Sequence, residues 1–243
     1  MTIQLFLGDC LDILPTLADE SVDSVICDPP YGTTQNKWDS LIPLDLLWPE
    51  LRRVTKKTSK IIVMAAQPFA STLIMSNPKE FRYELIWDKV LSVGFLDANR
   101  KPLKRHENII VFYRARGIYN PQKTPGEPYK RGKKALTPTY GAFEQYSSEN
   151  VSGDRFPTSI VQISNANRNK KWGHPTQKPI ELMEYLVKTY TNPGDVVLDF
   201  AMGSATTGEA CLNLGRSFIG IDKELKYYDI ARERLHVESE PVA

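Results

Sequence analysis

Residues 195–210 read DVVLDFAMGSATTGEA, an apolar strand that runs into a turn of small residues and then a helix. Such a turn lets backbone NH groups and a helix N-terminus approach a ligand, as in nucleotide-binding folds. Gly203 and Gly208 have the spacing of a phosphate-binding P-loop, but Glu209 and Ala210 stand where that loop needs Lys and Ser or Thr. The turn therefore predicts a ligand other than ATP, with a plain helix-start turn as the alternative.

The strand that follows favours a nucleoside ligand. SFIGID, residues 217–222, ends in Asp222, which lies 23 residues beyond Asp199 at the end of the preceding strand. A carboxylate at that spacing suits hydrogen bonds from ribose hydroxyls. The dinucleotide fingerprint GxGxxG is absent, because Ala205 occupies its second glycine. A nucleoside without phosphates fits the pattern best.

Strands and helices alternate on both sides of this turn. Apolar runs typical of strands covered on both faces occur at residues 3–7, 21–27, 61–66, 84–88, 108–114, 195–200 and 217–222. Helical spacing of apolar residues predicts helices over 45–54, after Pro68, and over 179–190 and 225–235. The alternation predicts an α/β fold with a doubly wound, mostly parallel sheet.

Composition excludes several classes of protein. The chain has 243 residues, 41% of them hydrophobic and 25% charged, and no apolar run reaches the length of a membrane-spanning helix. The first residues lack the pattern of a secretory signal, so we expect a cytoplasmic protein without membrane contacts. With three scattered cysteines and three histidines, we expect neither a disulfide framework nor a metal site.

A basic, irregular stretch separates the two halves of the pattern. Periodicity fails over residues 115–172, and residues 99–134 carry eleven Lys or Arg against two Glu, although the whole chain is only +2. Tyrosines are interleaved with these charges, a mixture that binds phosphates and stacks on bases. A solvated, flexible loop is the alternative. The predicted nucleic-acid contacts are Lys101, Lys104, Arg105, Arg131, Lys133 and Lys134.

The sharpest chemical signal is Asp28-Pro29-Pro30-Tyr31, directly after the apolar run SVDSVIC. Ligands gather at the carboxyl ends of parallel strands. Two prolines lack backbone donors and leave carbonyl oxygens to accept hydrogen bonds, Asp28 adds a carboxylate, and Tyr31 offers a flat face. This group suits a planar ring with an amino substituent, since the amine donates while the ring stacks. An ordinary strand-ending turn is the alternative.

Four motifs together resemble one group of enzymes. DPPY after a strand, HPTQKP (residues 174–179) before a helix, the turn DFAMGSATT and GID before the last helix look like the beta group of S-adenosylmethionine-dependent amino DNA methyltransferases. HPTQKP alone is a weak signal. The resemblance implies a circularly permuted, Rossmann-like methyltransferase fold with an inserted recognition region. It also implies S-adenosylmethionine as cofactor and duplex DNA as partner.

The resemblance also implies roles for single residues. Residues 28–31 would form the catalytic loop, Asp222 would hold the cofactor ribose, and Asp9 and Cys10 would lie near the cofactor adenine. The group usually has Pro-Phe where this chain has Phe200-Ala201, and glycine where it has Ala205. The methionine end of the cofactor would be held by His174, Thr176, Gln177, Lys178, Pro179, Asp199, Phe200, Ala201, Gly203, Ser204 and Thr206.

The same resemblance divides the chain and suggests its reaction. We expect a catalytic half at residues 1–114, a target-recognition insertion at 115–172, a cofactor-binding half at 173–237 and a tail at 238–243. An Asp before Pro-Pro-Tyr favours adenine, so the expected reaction methylates N6 of a flipped-out adenine at a specific DNA site. The alternatives are an N4-cytosine DNA methyltransferase and, from another class, a catalytically impaired DNA-binding protein. The recognition sequence and the oligomeric state, including a homodimer, stay open.

Overall fold

The computed structural model describes residues 1–32, 40–131, 148–165 and 177–238, the side chains of Arg131 and Ser148 excepted. The strands in these ranges are β1 (Ile3–Leu7), β2 (Val22–Cys27), β3 (Thr55–Ala65), β4 (Phe81–Val93), β5 (Lys104–Phe112), β6 (Tyr129–Arg131), β7 (Ser148–Asn150), β8 (Ile160–Gln162), β9 (Val196–Asp199) and β10 (Ser217–Asp222). The helices are α1 (Cys10–Ile13), α2 (Leu44–Val54), α3 (Phe69–Ser76), α4 (Ile180–Tyr190), α5 (Thr206–Asn213) and α6 (Leu225–Leu235).

Eight of these strands form one sheet in the order β1-β10-β9-β2-β3-β5-β4-β8. Five neighbouring pairs are parallel, while β5 runs antiparallel to both β3 and β4. The predicted doubly wound, mostly parallel sheet is confirmed. β4 and β5 are antiparallel because only a short segment, and no crossover helix, joins them. The circular permutation stays an expectation drawn from the resemblance.

Helices cover both faces of the sheet. On one face, α2 and α3 pack with Leu47, Leu51 and Leu73 against the strands, and on the other α4, α5 and α6 do so. Strand β2 shows why the sheet is buried on both sides, since Val25 belongs to the first core and Ile26 to the second. Successive side chains of a strand point to opposite faces, so an unbroken apolar run is what this position requires.

A second compact unit spans Pro121–Thr158. Within it, β6 and β7 form an antiparallel pair, and Thr124 and Arg155 form a separate bridge. The Arg155 guanidinium lies 4.7 Å from the centre of the Tyr129 ring. The remainder of the range 115–172 includes β8, a strand of the main sheet that the sequence pattern missed. Three residues are too few to show an alternation of apolar and polar side chains.

No helix in the described part of the chain is long and apolar enough to cross a membrane. Likewise, no group of His, Cys, Asp or Glu among the described residues could hold a metal ion.

Arg234 of α6 fixes the small-residue turn that follows β9. The side chain is buried, with Nη1 donating to Ser204 O at 2.9 Å and to Thr206 Oγ1 at 3.0 Å. Its Nε donates to Glu209 Oε2 at 2.5 Å. Burial lowers the pKa of the guanidinium, and the Glu209 charge opposes this shift. A single cation therefore holds α6 to the turn and to the first residues of α5.

Replacing Arg234 by alanine should lower the free energy of unfolding by about 3 kcal/mol, because Glu209 and the Ser204 carbonyl lose a buried partner. Urea unfolding followed by circular dichroism measures the loss. Arg232→Ala is the matched control, since Arg232 Nη1 lies 3.8 Å from an exposed Asp229 carboxylate. We expect at most about 0.5 kcal/mol there. Equal losses in the two variants would contradict a structural role for Arg234.

Candidate active site

A cleft of about 500 Å³ opens at the carboxyl edge of the parallel strands. β2, β9 and β10 run in the same direction, so the residues after each strand meet there. β9 lies beside β2 although the two strands are far apart in sequence, and helices leave them on opposite faces of the sheet. The cleft thus occupies a switch point, the usual ligand position in an open α/β sheet.

The loop after β2 brings a carboxylate and an aromatic ring into the cleft. Tyr31 Oη donates to Asp28 Oδ1 at 2.5 Å, and the Tyr31 ring stacks on Phe69 with a centroid distance of 5.6 Å and an interplanar angle of 20°. Pro29 is buried, which anchors the loop to the core. The carboxylate and the ring are therefore fixed relative to each other before any ligand arrives.

A chain of alternating charges runs from this loop to the antiparallel strands β5 and β4, which lie beyond β3 in the sheet. Lys178 Nζ lies 2.6 Å from Asp28 Oδ2 and 3.3 Å from Glu107 Oε2. Lys89 Nζ lies 2.9 Å from Glu107 Oε1. Glu107 belongs to β5, Lys89 to β4, and Lys178 to the segment just before α4. We call Lys89, Glu107, Lys178 and Asp28 the charge chain.

Burial and neighbouring charges oppose each other along the charge chain. Burial raises the pKa of Asp28 above its usual value, and the Lys178 charge works against that rise. Burial favours the neutral form of Lys178, but Asp28 and Glu107 together outweigh it and raise the pKa of this lysine. Burial likewise opposes ionisation of Glu107, yet Lys178 and Lys89 hold its pKa below the usual value. Each buried charge depends on its neighbour.

Two further carboxylates lie at the ends of β9 and β10. Asp199 accepts a hydrogen bond from Thr207 Oγ1 at 2.7 Å, and burial raises its pKa to about 6. Asp222 accepts from the backbone N–H of Gly203 at 2.9 Å and of Glu224 at 2.8 Å. Burial raises the pKa of Asp222 to about 6 as well. The backbone bonds orient the Asp222 carboxylate at the cleft wall.

Most of the residues predicted for a site come together in this cleft. Pro179 lies outside the lining, at the start of α4, and His174 and Thr176 lie outside the described residues. The predicted residues that line the cleft are Asp9, Cys10, Asp28, Pro29, Pro30, Tyr31, Gln177, Lys178, Asp199, Phe200, Ala201, Gly203, Ser204, Thr206 and Asp222. Their individual roles stay predictions.

The residues predicted to contact nucleic acid do not all lie in the cleft. Lys104 lines the cleft, whereas Lys101 Nζ pairs with Asp97 Oδ2 at 3.0 Å and Arg105 Nε pairs with Asp88 Oδ1 at 2.6 Å. Three other predicted contacts fall outside what the structure describes: Lys133, Lys134 and the side chain of Arg131.

Sequence reasoning missed Lys89 and Glu107, which lie just outside the apolar runs predicted as strands, 84–88 and 108–114, and which belong to β4 and β5 in the structure. A usable signal was present, because a charged residue within a buried strand requires a partner. The lining also includes Trp87 and Asn165, which no motif indicated. Lys178 was predicted for the cofactor, and in the structure its ammonium contacts Asp28.

Comparisons with known proteins agree on one family. A family model described as DNA methylase, for N6 and N4 methyltransferases, matches residues 22–233. Type II methyltransferase M.HpaI of Haemophilus parainfluenzae is 28% identical over 98% of this chain and 76% of its own length. DNA adenine methyltransferase YhdJ of Escherichia coli (strain K12) is 28% identical over 96% of this chain and 82% of its own length.

A solved structure shows the same likeness in three dimensions. The crystal structure of the M1.HpyAVI–SAM complex matches with a TM-score of 0.67 and 25% sequence identity. The match covers 97% of this chain and all of that one, 100%.

We expect Lys178→Met to raise the pKa of Asp28 further, because the substitution removes the charge that opposes burial. Carbon-13 NMR of the Asp28 carboxyl carbon measures the midpoint of its titration. Lys188→Met is the matched control on α4, since Lys188 is exposed and pairs with Glu184 at 3.6 Å. An Asp28 midpoint that does not move in Lys178→Met, while thermal unfolding shows a folded protein, would contradict the charge chain.

Proposed function

Since the chain belongs to the N6/N4 family of DNA methylases and uses S-adenosylmethionine, we propose that it methylates the exocyclic N6 amine of a flipped-out adenine in duplex DNA. The observation that carries the proposal is the loop Asp28-Pro29-Pro30-Tyr31, with its carboxylate exposed to the cleft and held by Tyr31 and Lys178. An adenine inside a duplex cannot reach this loop, so the base must leave the stack.

The loop suits the activation of an aromatic amine. The lone pair of an exocyclic amine is delocalised into the ring, which makes the nitrogen a poor nucleophile. Asp28 and the Pro29 carbonyl accept its two hydrogens and favour a tetrahedral nitrogen, while Tyr31, packed on Phe69, stacks on the base. S-adenosylmethionine supplies an electrophilic methyl group. Because burial raises the pKa of Asp28, this carboxylate accepts the amine proton more readily than an exposed aspartate would.

The described residues fit S-adenosylmethionine in the other half of the cleft. Within the described part of the chain, Gln177 Oε1 is a buried acceptor without a hydrogen-bond partner, which matches a donor such as the α-ammonium group of the methionine end. Asp222 is oriented by backbone N–H groups and would accept from the ribose hydroxyls. Asp9 and Cys10 would lie near the adenine ring.

Adenine is preferred over cytosine on two grounds. In the beta group that the motifs resemble, Asp before Pro-Pro-Tyr goes mostly with adenine. The relative YhdJ, which is 28% identical, is a DNA adenine methyltransferase. N4-cytosine methylation is the second candidate, because the matching family includes both kinds of enzyme.

The basic residues predicted from the sequence are proposed to meet the DNA backbone. Lys104 supports this, since it lines the cleft and burial lowers the pKa of its ammonium, an arrangement that a phosphate would stabilise. Lys101 and Arg105 flank it on the same hairpin. Phosphate contacts of this kind orient a protein on DNA without reading sequence.

Asp28→Asn should reduce the rate of a single turnover by roughly 10²-fold or more, because the neutral amide accepts the amine hydrogens weakly. Cofactor binding should be largely retained. The assay incubates protein with labelled S-adenosylmethionine and unmethylated duplex DNA, and nucleoside analysis identifies the product. Asp45→Asn, at an exposed position on α2, is the matched control.

N6-methyladenine as the labelled nucleoside is the expected result for the wild-type protein. N4-methylcytosine would overturn the adenine assignment. An Asp28→Asn variant as active as Asp45→Asn would overturn the catalytic role of the loop.

The affinity for S-adenosylmethionine should fall as the pH drops below about 6, because protonation of Asp222 weakens its acceptance of ribose hydroxyls. Calorimetric titration across this range measures the effect. Asp199 titrates in the same range, so comparison with Asp222→Asn isolates the contribution of Asp222. The variant should bind more weakly at neutral pH and lose part of the pH dependence. If Asp222→Asn shows the same pH dependence of affinity as the wild-type protein, Asp222 does not bind the ribose.

A further inference from the structure

The hairpin between β4 and β5 ends in an exposed apolar tip. Phe95 is 81% exposed and Leu96 is fully exposed, and both lie in a single turn of 3-10 helix, Phe95–Asp97. Gly94, just before the turn, has a left-handed backbone with φ of 91°. Open space surrounds it, since a side chain added there would meet no atom within 4 Å. Two large apolar side chains presented to water in this way call for a partner.

The hairpin that carries the tip leaves the wall of the cleft. Val93 and Lys104 pair across β4 and β5, and both line the cleft. The segment between them, residues 94–103, therefore begins and ends at the cleft wall. Deeper in the same hairpin, Lys89 and Glu107 belong to the charge chain that ends at Asp28. The hairpin is thus tied to the group proposed to receive the target base.

The surroundings of the tip are basic. Residues 94–105 contain four Lys or Arg and one acidic residue, Asp97. Asp97 pairs with Lys101, and Asp88 of β4 pairs with Arg105. This combination of an apolar tip and positive flanks matches a nucleic acid, which offers apolar base faces between negatively charged phosphates. A second copy of this chain would place its own positive charges against those of residues 94–105, and the two copies would repel each other.

We propose that Phe95 and Leu96 enter the base stack of the duplex and fill the space left by the flipped target base. The inference rests on the proposed function, because it needs a base that leaves the stack. Flipping costs the stacking and pairing energy of one base. Other DNA-binding proteins insert apolar side chains between base steps, and such side chains in the emptied position would restore stacking contacts to the neighbouring bases.

The methylated site is first mapped on plasmid DNA that the wild-type protein has modified. The double variant Phe95→Ala/Leu96→Ala is then compared with the wild-type protein on synthetic duplexes that carry this site. In one duplex 2-aminopurine replaces the target base, and its fluorescence rises when it leaves the stack. We expect a smaller rise for the variant at saturating protein. With the natural target base, we expect kcat/KM on a matched duplex to fall roughly tenfold or more, in line with the loss of an aromatic stacking contact.

A duplex in which the target base faces a mismatch separates flipping from other steps. A mismatched base leaves the stack at little cost, so the double variant should methylate this duplex almost as fast as the wild-type protein. Leu46→Ala/Met75→Ala is the matched control, since it removes two exposed apolar side chains away from the cleft. The control should behave like wild type on both duplexes.

Three results would overturn the inference. The first is an equal loss of activity on matched and mismatched duplexes, and the second is no loss on either. The third is a wild-type dimer that becomes a monomer in the variant by analytical ultracentrifugation, which would make the tip a contact between copies. If the mapped product is N4-methylcytosine, the adenine assignment fails, and the same comparison with a fluorescent cytosine analogue still tests the tip.

Discussion

The ion pair between Lys178 and Asp28 is the interaction on which the rest of the site depends. Removing charges from water costs several kcal/mol per ion, and an apolar core of the same volume is often as stable. The 2.6 Å contact holds the Asp28 carboxylate in place, and Glu107 holds Lys178 in turn. In the proposed mechanism, the function of these buried charges is to keep the half-buried Asp28 carboxylate available to the target amine.

The topology explains how these groups meet. Asp28 follows β2, Lys178 precedes α4, and Glu107 and Lys89 come from the antiparallel pair β5 and β4. Placing β9 beside β2 opens the cleft at a switch point and brings Asp199 and Asp222 to the same edge. One end of the sheet thus carries both halves of the proposed group-transfer site. The hairpin that contributes two charges also extends past the cleft and ends in Phe95 and Leu96.

The sequence predicted those features of the fold that depend on residues close together in the chain. The apolar runs and the turn after Asp199 lie where the pattern indicated, because strand burial and turn chemistry depend on neighbouring residues. The charge chain depends instead on the order β2-β3-β5-β4 within the sheet, which no single window of sequence contains, so neither Glu107 nor Lys89 was predicted for the site. β8 escaped because three residues, Ile160–Gln162, show no period. The pairing of Lys178 with Asp28 likewise needed the fold.

A double-mutant cycle on the charge chain tests the central claim most directly. Single-turnover methyl transfer would be measured for Glu107→Gln, Lys178→Met and the double variant, with thermal unfolding as a check that each is folded. If Glu107 acts on Asp28 through Lys178, the double variant should be no slower than Lys178→Met alone, with a coupling of about 1 kcal/mol or more. Losses that simply add would contradict the account, because Glu107 and Lys178 would then act independently.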